Sequence, residues 1–287
     1  MMHILIPTGG SAHSAIAIHQ VLVLAAAEEI AATLLTVVKH ADDQAEAEII
    51  LTQAREGLDT AVSQTTTLIR RGQPAEEIVQ EAESGRYDLI VMGERPSHNL
   101  ITRLFKPVTQ HVVERSTCPV LIAKEQPHPL HRLLLCDSGL QSPSLLDRFT
   151  ASLPQLLTAD TDITILHVMS QISAAPGIPG QQLRADANEL IAGNAPEGEL
   201  LQLDREKMEH VGHASEIKVR HGLVVDEIET EAKNGNYDLI VIGAHQHEGW
   251  HHFLLADMTR QIITQADRPV LVIPFTTTPD DASTWPK

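Results

Sequence analysis

Aromatic residues are scarce, at 3% of 287 residues, so Leu, Ile, Val and Ala have to fill any core, and β-branched aliphatics favour buried strands. Basic side chains are also few. The 21 Lys and Arg stand against 38 Asp and Glu, a net charge of −17. A surface this acidic repels phosphate backbones and anionic lipid, so nucleic acid and membrane are not expected partners, although a local basic pocket can hold a small anion. Cysteine occurs twice, at Cys118 and Cys136, too sparsely for a disulfide framework. Each lies at or within an apolar run, CPVLIA and LLLCD, as a small buried thiol would. No apolar run reaches the about 18 residues of a transmembrane helix. The start, MMHILIPTGG, has no basic segment leading into a long apolar one, so no signal peptide is expected. The cytoplasm is the expected compartment.

What is present is a duplication. Hydrophobic residues make up 43% of the chain, enough for a proper core, and the length suits two domains. Tyr87–Gly93 reads YDLIVMG and Tyr237–Gly243 reads YDLIVIG, 150 positions further on. The same offset carries Gly72 to Gly222, Ile78 to Ile228 and CPVLIA from Cys118 to RPVLVI from Arg268. Four landmarks in one register mark a repeat. The front halves align at shorter offsets: HILIPTGGS from His3 with RLLLCDSG from Arg132, and LLTVV from Leu34 with ILHVM from Ile165. The second copy therefore carries about 19 extra residues (150 less 131), assigned to an insertion around 170–212.

Within each copy, strand and helix patterns alternate. Solid apolar strands such as DLIVM and DLIVI are buried on both faces, as in a parallel sheet covered by helices, and right-handed crossovers make that sheet doubly wound. The expected layout is a first domain over 1–126, a linker over 127–131, a second domain over 132–275 and a flexible polar tail over 276–287.

These residues resemble the universal stress protein family: a strand-to-loop start (ILIPTGGSAHS), the YDLIVMG strand, and a helix leading into CPVLIA, with the same ending in the second copy. The likeness covers nearly the whole chain apart from the insertion and the tail. It implies two adenine-nucleotide alpha hydrolase-like (Rossmann-like) domains, each a five-stranded parallel sheet in the order 3-2-1-4-5. It also implies that the fifth strands of the two copies pair within the chain, which would shield two apolar edges. A homodimer of whole chains is a further expectation.

Members that bind ATP share a pattern of Gly, two residues, Gly, nine residues, then Gly-Ser or Gly-Thr, with an Asp ending strand one. Glycines let backbone amides approach phosphate, and the hydroxyl residue opens a helix whose N-terminus favours an anion. Here the first copy keeps Gly93, but Pro96 and Lys106-Pro107 stand at the later positions and Gly9 replaces the Asp. The second copy keeps Gly243 and Asp137, but Gln246 and Ala256-Asp257 follow. Neither copy has the full pattern, so the resemblance implies degenerate crevices, and no cofactor is the leading expectation. ATP or another adenine nucleotide in the first domain stands as an alternative. The candidate crevice residues are Gly9, Gly10, Ser11, Val37, Gly93, Arg95 and Lys106 in the first copy, and Asp137, Val168 and Gly243 in the second. Gly9-Gly10-Ser11 is equally a plain turn and helix cap.

The 16 histidines cluster once, as His245, His247, His251 and His252 in AHQHEGWHH. Imidazoles so spaced suit zinc or another transition metal, a pH-sensitive patch, or a solvated loop, for the spacing matches no closed zinc motif. No nucleophile elbow or activated thiol is evident. The functional readings are a non-catalytic stress-response protein, a nucleotide-binding switch acting through the first domain, and a metal- or pH-responsive protein acting through residues 245–252.

Overall fold

Leu89–Gly93 and Leu239–Gly243 are buried along almost their whole length, which requires helices above and below them. The computed structural model describes residues 1–58, 60–94, 108–124, 129–137, 143–158, 160–169, 187–192, 196–211, 215–244 and 250–275. The first copy runs β1 (Met2–Pro7), α1 (Ala12–Ala25), β2 (Ile30–Val38), α2 (Gln44–Leu58), β3 (Gln64–Arg71), α3 (Pro74–Ser84), β4 (Leu89–Gly93), α4 (Val108–Arg115) and β5 (Val120–Ala123). The second runs β6 (Arg132–Cys136), α5 (Leu145–Ser152), β7 (Asp162–Met169), α6 (Ala187–Ala192), α7 (Pro196–Val211), β8 (Ser215–His221), α8 (Val224–Asn234), β9 (Leu239–Gly243), α9 (Trp250–Gln265) and β10 (Val270–Ile273).

All ten strands form one sheet in the order β3-β2-β1-β4-β5-β10-β9-β6-β7-β8. Each half is parallel and doubly wound, with the first in the order 3-2-1-4-5 and the second running across the sheet in the reverse of that order. The halves meet where β5 and β10 pair antiparallel, Leu121 opposite Leu271. Strand alternation sends successive side chains to opposite faces, so two cores run the width of the sheet. One gathers Ile4, Ile6, Leu121 and Leu271 with Ala17 and Val21 of α1, Leu51 of α2, Phe149 of α5 and Met208 of α7. The other gathers Leu5, Ile122 and Val270 under Ile78 of α3, Val112 of α4, Ile228 of α8 and Ile262 of α9. Each fully buried aliphatic contributes about 2 kcal/mol relative to exposure.

The repeat extends to buried polar chemistry. In the first copy Arg70 Nε donates to Glu81 at 2.7 Å and the Tyr87 hydroxyl donates to the same carboxylate at 2.8 Å. In the second, Arg220 donates to Glu231 at 2.8 Å and Tyr237 at 3.1 Å, with Lys218 added at 2.9 Å. Both sets pin a helix, α3 or α8, to an outer strand. The copies differ where one helix (α2) bridges β2 to β3 and two (α6 and α7) bridge β7 to β8. Residues 170–186, 193–195 and 212 of the expected insertion, and the tail 276–287, lie outside the described residues.

Candidate functional site

In each half the strand order reverses beside the first strand: β1 lies between β2 and β4, and β6 between β9 and β7. Ligands of open α/β sheets bind outside the carboxyl ends of the strands at such points. In the first copy, Pro7 ends β1 and the next carbonyl, of Thr8, accepts from the Thr36 hydroxyl at 2.9 Å, which draws the loop against β2. Gly10 has φ +68 and a Cβ there would lie 2.9 Å from Ile50 of α2; the left-handed turn needs glycine. Ser11 caps α1 by accepting from the Ser14 amide at 3.3 Å. Gly9 is exposed, with nothing within 4 Å of a built Cβ.

Gly93 has a steric reason to be glycine. A Cβ on it would lie 1.8 Å from the His13 carbonyl oxygen, because the first turn of α1 rests on the end of β4. Val37 is half-buried near the end of β2, against the second core, and Val168 is its counterpart near the end of β7. Glu94 follows Gly93, and its carboxylate pairs with the ammonium of Lys124, which also donates to the Ile263 carbonyl of α9 at 2.6 Å. Arg95 and Lys106 lie outside the described residues.

In the second copy, Asp137 follows β6 and is 8% exposed. Its carboxylate accepts from the Leu145 amide, the first of α5, at 2.9 Å, and its carbonyl accepts from Nδ1 of His167 at 3.2 Å. A helix N-terminus attracts an anion, and here a carboxylate of the chain itself takes that place. Ser144 and Asp147 close a capping box over the same turn. Lys207 of α7 donates to Asp147 at 2.6 Å, and Asp204 of α7 is buried beside Asp137. Burial first, then the charge of Asp137, pushes the Asp204 carboxyl up to about 7. Gly243 ends β9, half-buried. Asp257 of α9 accepts from Arg260 Nε at 3.2 Å and Gln261 at 2.6 Å, and those bonds hold its carboxyl below the usual range. Its charge is thus partly neutralised within α9.

His245 and His247 lie outside the described residues, and the side chains of His251 and His252, in the first turn of α9, lie outside them too. Among the described residues no group of three or more His, Cys, Asp or Glu is placed to hold a metal, and no helix is long and apolar enough to cross a membrane. Both thiols are free. Burial pushes Cys118 up to about 12 and Cys136 higher still, so neither is a nucleophile at neutral pH.

Sequence reasoning missed Asp204 and the Glu94–Lys124 pair. The first had a readable signal: Leu201, Asp204 and Met208 follow helical spacing, so an acid sits in an otherwise apolar stripe. The second had a fainter one, a lysine directly after the apolar strand PVLIA where the second copy has Pro274.

A model of the universal stress protein family matches residues 1–124 and again 131–274. The chain is 36% identical over 75 residues to the universal stress protein YxiE of Bacillus subtilis, 26% of this chain and 51% of that one; it thus spans about half that relative's length. A universal stress protein from Archaeoglobus fulgidus has a similar structure, with TM-score 0.69 at 18% identity over 95% of this chain and 96% of that one. A functionally unknown protein from Pseudomonas aeruginosa gives 0.65 at 15% identity, covering 96% and 92%. A universal stress protein solved in complex with cAMP gives 0.39 at 25% identity, covering 42% of this chain and 95% of that one. With the family matched in both halves of one continuous sheet, this chain belongs to the universal stress protein family as a tandem of two of its domains.

Proposed function

We propose that the chain is a non-catalytic stress-response protein of the cytoplasm whose nucleotide crevices have degenerated, and that it acts through its surface. The observation that carries this reading is Asp257, which stands where the ATP-binding pattern has its hydroxyl residue and whose carboxylate is kept ionised by its bonds from Arg260 and Gln261. A phosphate held in that pose would lie near this charge. At about 4 Å and an effective dielectric near 20, two like unit charges cost about 4 kcal/mol. In the first copy the motif loses its second glycine to Pro96, which has no N–H, and its Gly-Ser to Lys106-Pro107. Domains over 1–126 and 132–275, a linker over 127–131, and an absence of nucleic-acid and membrane partners complete the proposal.

A second reading has one observation in its favour. The open space at Gly9, beside the left-handed Gly10 and the Ser11 cap, leaves room for a phosphate of an adenine nucleotide in the first domain. Thermal unfolding with Mg-ATP, AMP and cAMP separates the two. A ligand at 100 times its Kd stabilises by about 2.7 kcal/mol, several degrees in a domain of this size. No shift with any of the three is expected. A shift abolished by Lys106→Glu would replace the first reading with the second. A third reading, metal or pH response through His245, His247, His251 and His252, is tested by the same measurement with zinc.

A further inference from the structure

The helix α7 turns Leu201 (3% exposed), Asp204 (7%) and Met208 (0%) inward. Its sister α2 turns Ala47, Leu51, Ala54 and Leu58 inward, so an acid occupies a stripe that is wholly aliphatic in the first copy. An ionised carboxylate buried there costs several kcal/mol unless it is paired. The cation one turn on, Lys207, is committed to Asp147 of α5 at 2.6 Å.

The other charged or titratable groups around this seam come from each element packed on it. Asp137 after β6 holds the start of α5, and α5 brings Asp147 and Arg148, the latter donating to the Pro274 carbonyl at 3.1 Å. On the face of the sheet beneath α7, β7 presents His167 and β8 presents His221, by alternation with Ile165 and Ile217. In α6, Glu189 is exposed and Asn188 accepts from Arg205 of α7 at 3.2 Å, which ties the two helices together.

We infer that Asp204 makes the α6–α7 pair a proton-operated clamp on the second domain: as a neutral acid it lies in the seam against α5, and on releasing its proton to solvent it opposes Asp137 and loosens α7. The inference does not depend on whether either crevice binds a nucleotide. Burial, reinforced by Asp137 and opposed by Lys207, pushes the docked carboxyl up to about 7, whereas in the undocked helix it titrates near 3.9, as an ordinary Asp. The docked form therefore binds the proton more tightly. Docking is strongest below about pH 4, weakens about tenfold per pH unit as pH rises towards 7, and levels off above it.

Hydrogen exchange of the full-length chain tests this, with rates corrected for intrinsic pH dependence. From pH 5 to pH 7, protection of amides in residues 196–211 should fall about 50-fold, while protection in the sister helix α2 stays constant. Asp204→Asn and Asp204→Leu, which carry no titratable proton, should abolish the fall. Equal pH dependence in the parent and in Asp204→Asn, or none in the parent, would overturn the clamp. Should the variants fail to fold, the carboxyl carbon shift of Asp204 in the unsubstituted protein decides. A midpoint near 7 supports the clamp and one below 5 overturns it.

Discussion

The ammonium of Lys124, just past the end of β5, donates a 2.6 Å hydrogen bond to the backbone carbonyl of Ile263 in α9, 139 residues further along the chain. The same ammonium pairs with Glu94. One buried charge thus joins the loop after β4 of the first domain to a helix of the second, beside the strand pair that unites them.

Truncating that lysine should strand Glu94 and the Ile263 carbonyl together. Removing one partner of a buried ion pair costs about 3 kcal/mol, so Lys124→Ala should lower urea unfolding stability by about that much. Lys124→Met combined with Glu94→Gln, which leaves no unpaired charge, should lose less. A loss under about 0.5 kcal/mol for Lys124→Ala would show that the pair is not structural.

Two glycines near the same crevice should respond oppositely. Gly93→Ala puts a Cβ 1.8 Å from the His13 carbonyl, and the backbone must move to admit it, at about 2–3 kcal/mol. Gly9→Ala meets nothing within 4 Å and should change stability by under about 0.5 kcal/mol. Thermal unfolding of both variants checks the contrast.

In the second domain Glu231 has 6% side-chain exposure and faces Lys218 and Arg220. Burial alone would raise its pKa, but the hydrogen bonds from Lys218 and Arg220 outweigh it and hold the carboxyl below its usual value. Stability from such a group is present above the unfolded pKa, near 4.3, and is lost as pH falls through the folded one. Glu231→Gln should therefore destabilise by about 2 kcal/mol at pH 7, and the difference from the parent should shrink on acidification below about pH 4. A gap that stays constant down to pH 3 would contradict this.

Neither thiol should react with a disulfide reagent at pH 8 in the native protein. Cys118 is buried and pushed up to about 12, and Cys136 is raised further by burial and by Asp137. Both should label fully in denaturant, and native labelling of buried Cys118 should proceed only as fast as unfolding, whereas half-buried Cys136 is held back by its raised pKa.

The doubly wound, duplicated fold was legible because DLIVM and DLIVI are apolar on both faces and recur 150 residues apart, a strand buried on two sides leaving little freedom in composition; the strand order came through the resemblance to the family. The site was legible only in part. Gly93 read as a phosphate-loop glycine, yet its neighbour is the His13 carbonyl 80 positions away, a contact that exists only once α1 packs on β4. Asp137 read as a crevice carboxylate, but its partner is the Leu145 amide, which depends on where α5 starts. Asp204 and Lys124 are buried, yet each stands beside charged residues in the sequence, Arg205 to Lys207 and Glu125. Along the chain such residues look solvated, and burial overtakes them only through elements distant in sequence.

Freshly purified protein, denatured and analysed by chromatography for released nucleotide, tests the degenerate-crevice reading most directly. With Asp257 at the hydroxyl position of the pattern in the second copy, and Pro96 and Lys106-Pro107 at its later positions in the first, the extract should contain no adenine nucleotide in proportion to protein. One equivalent per chain, or two, would contradict it.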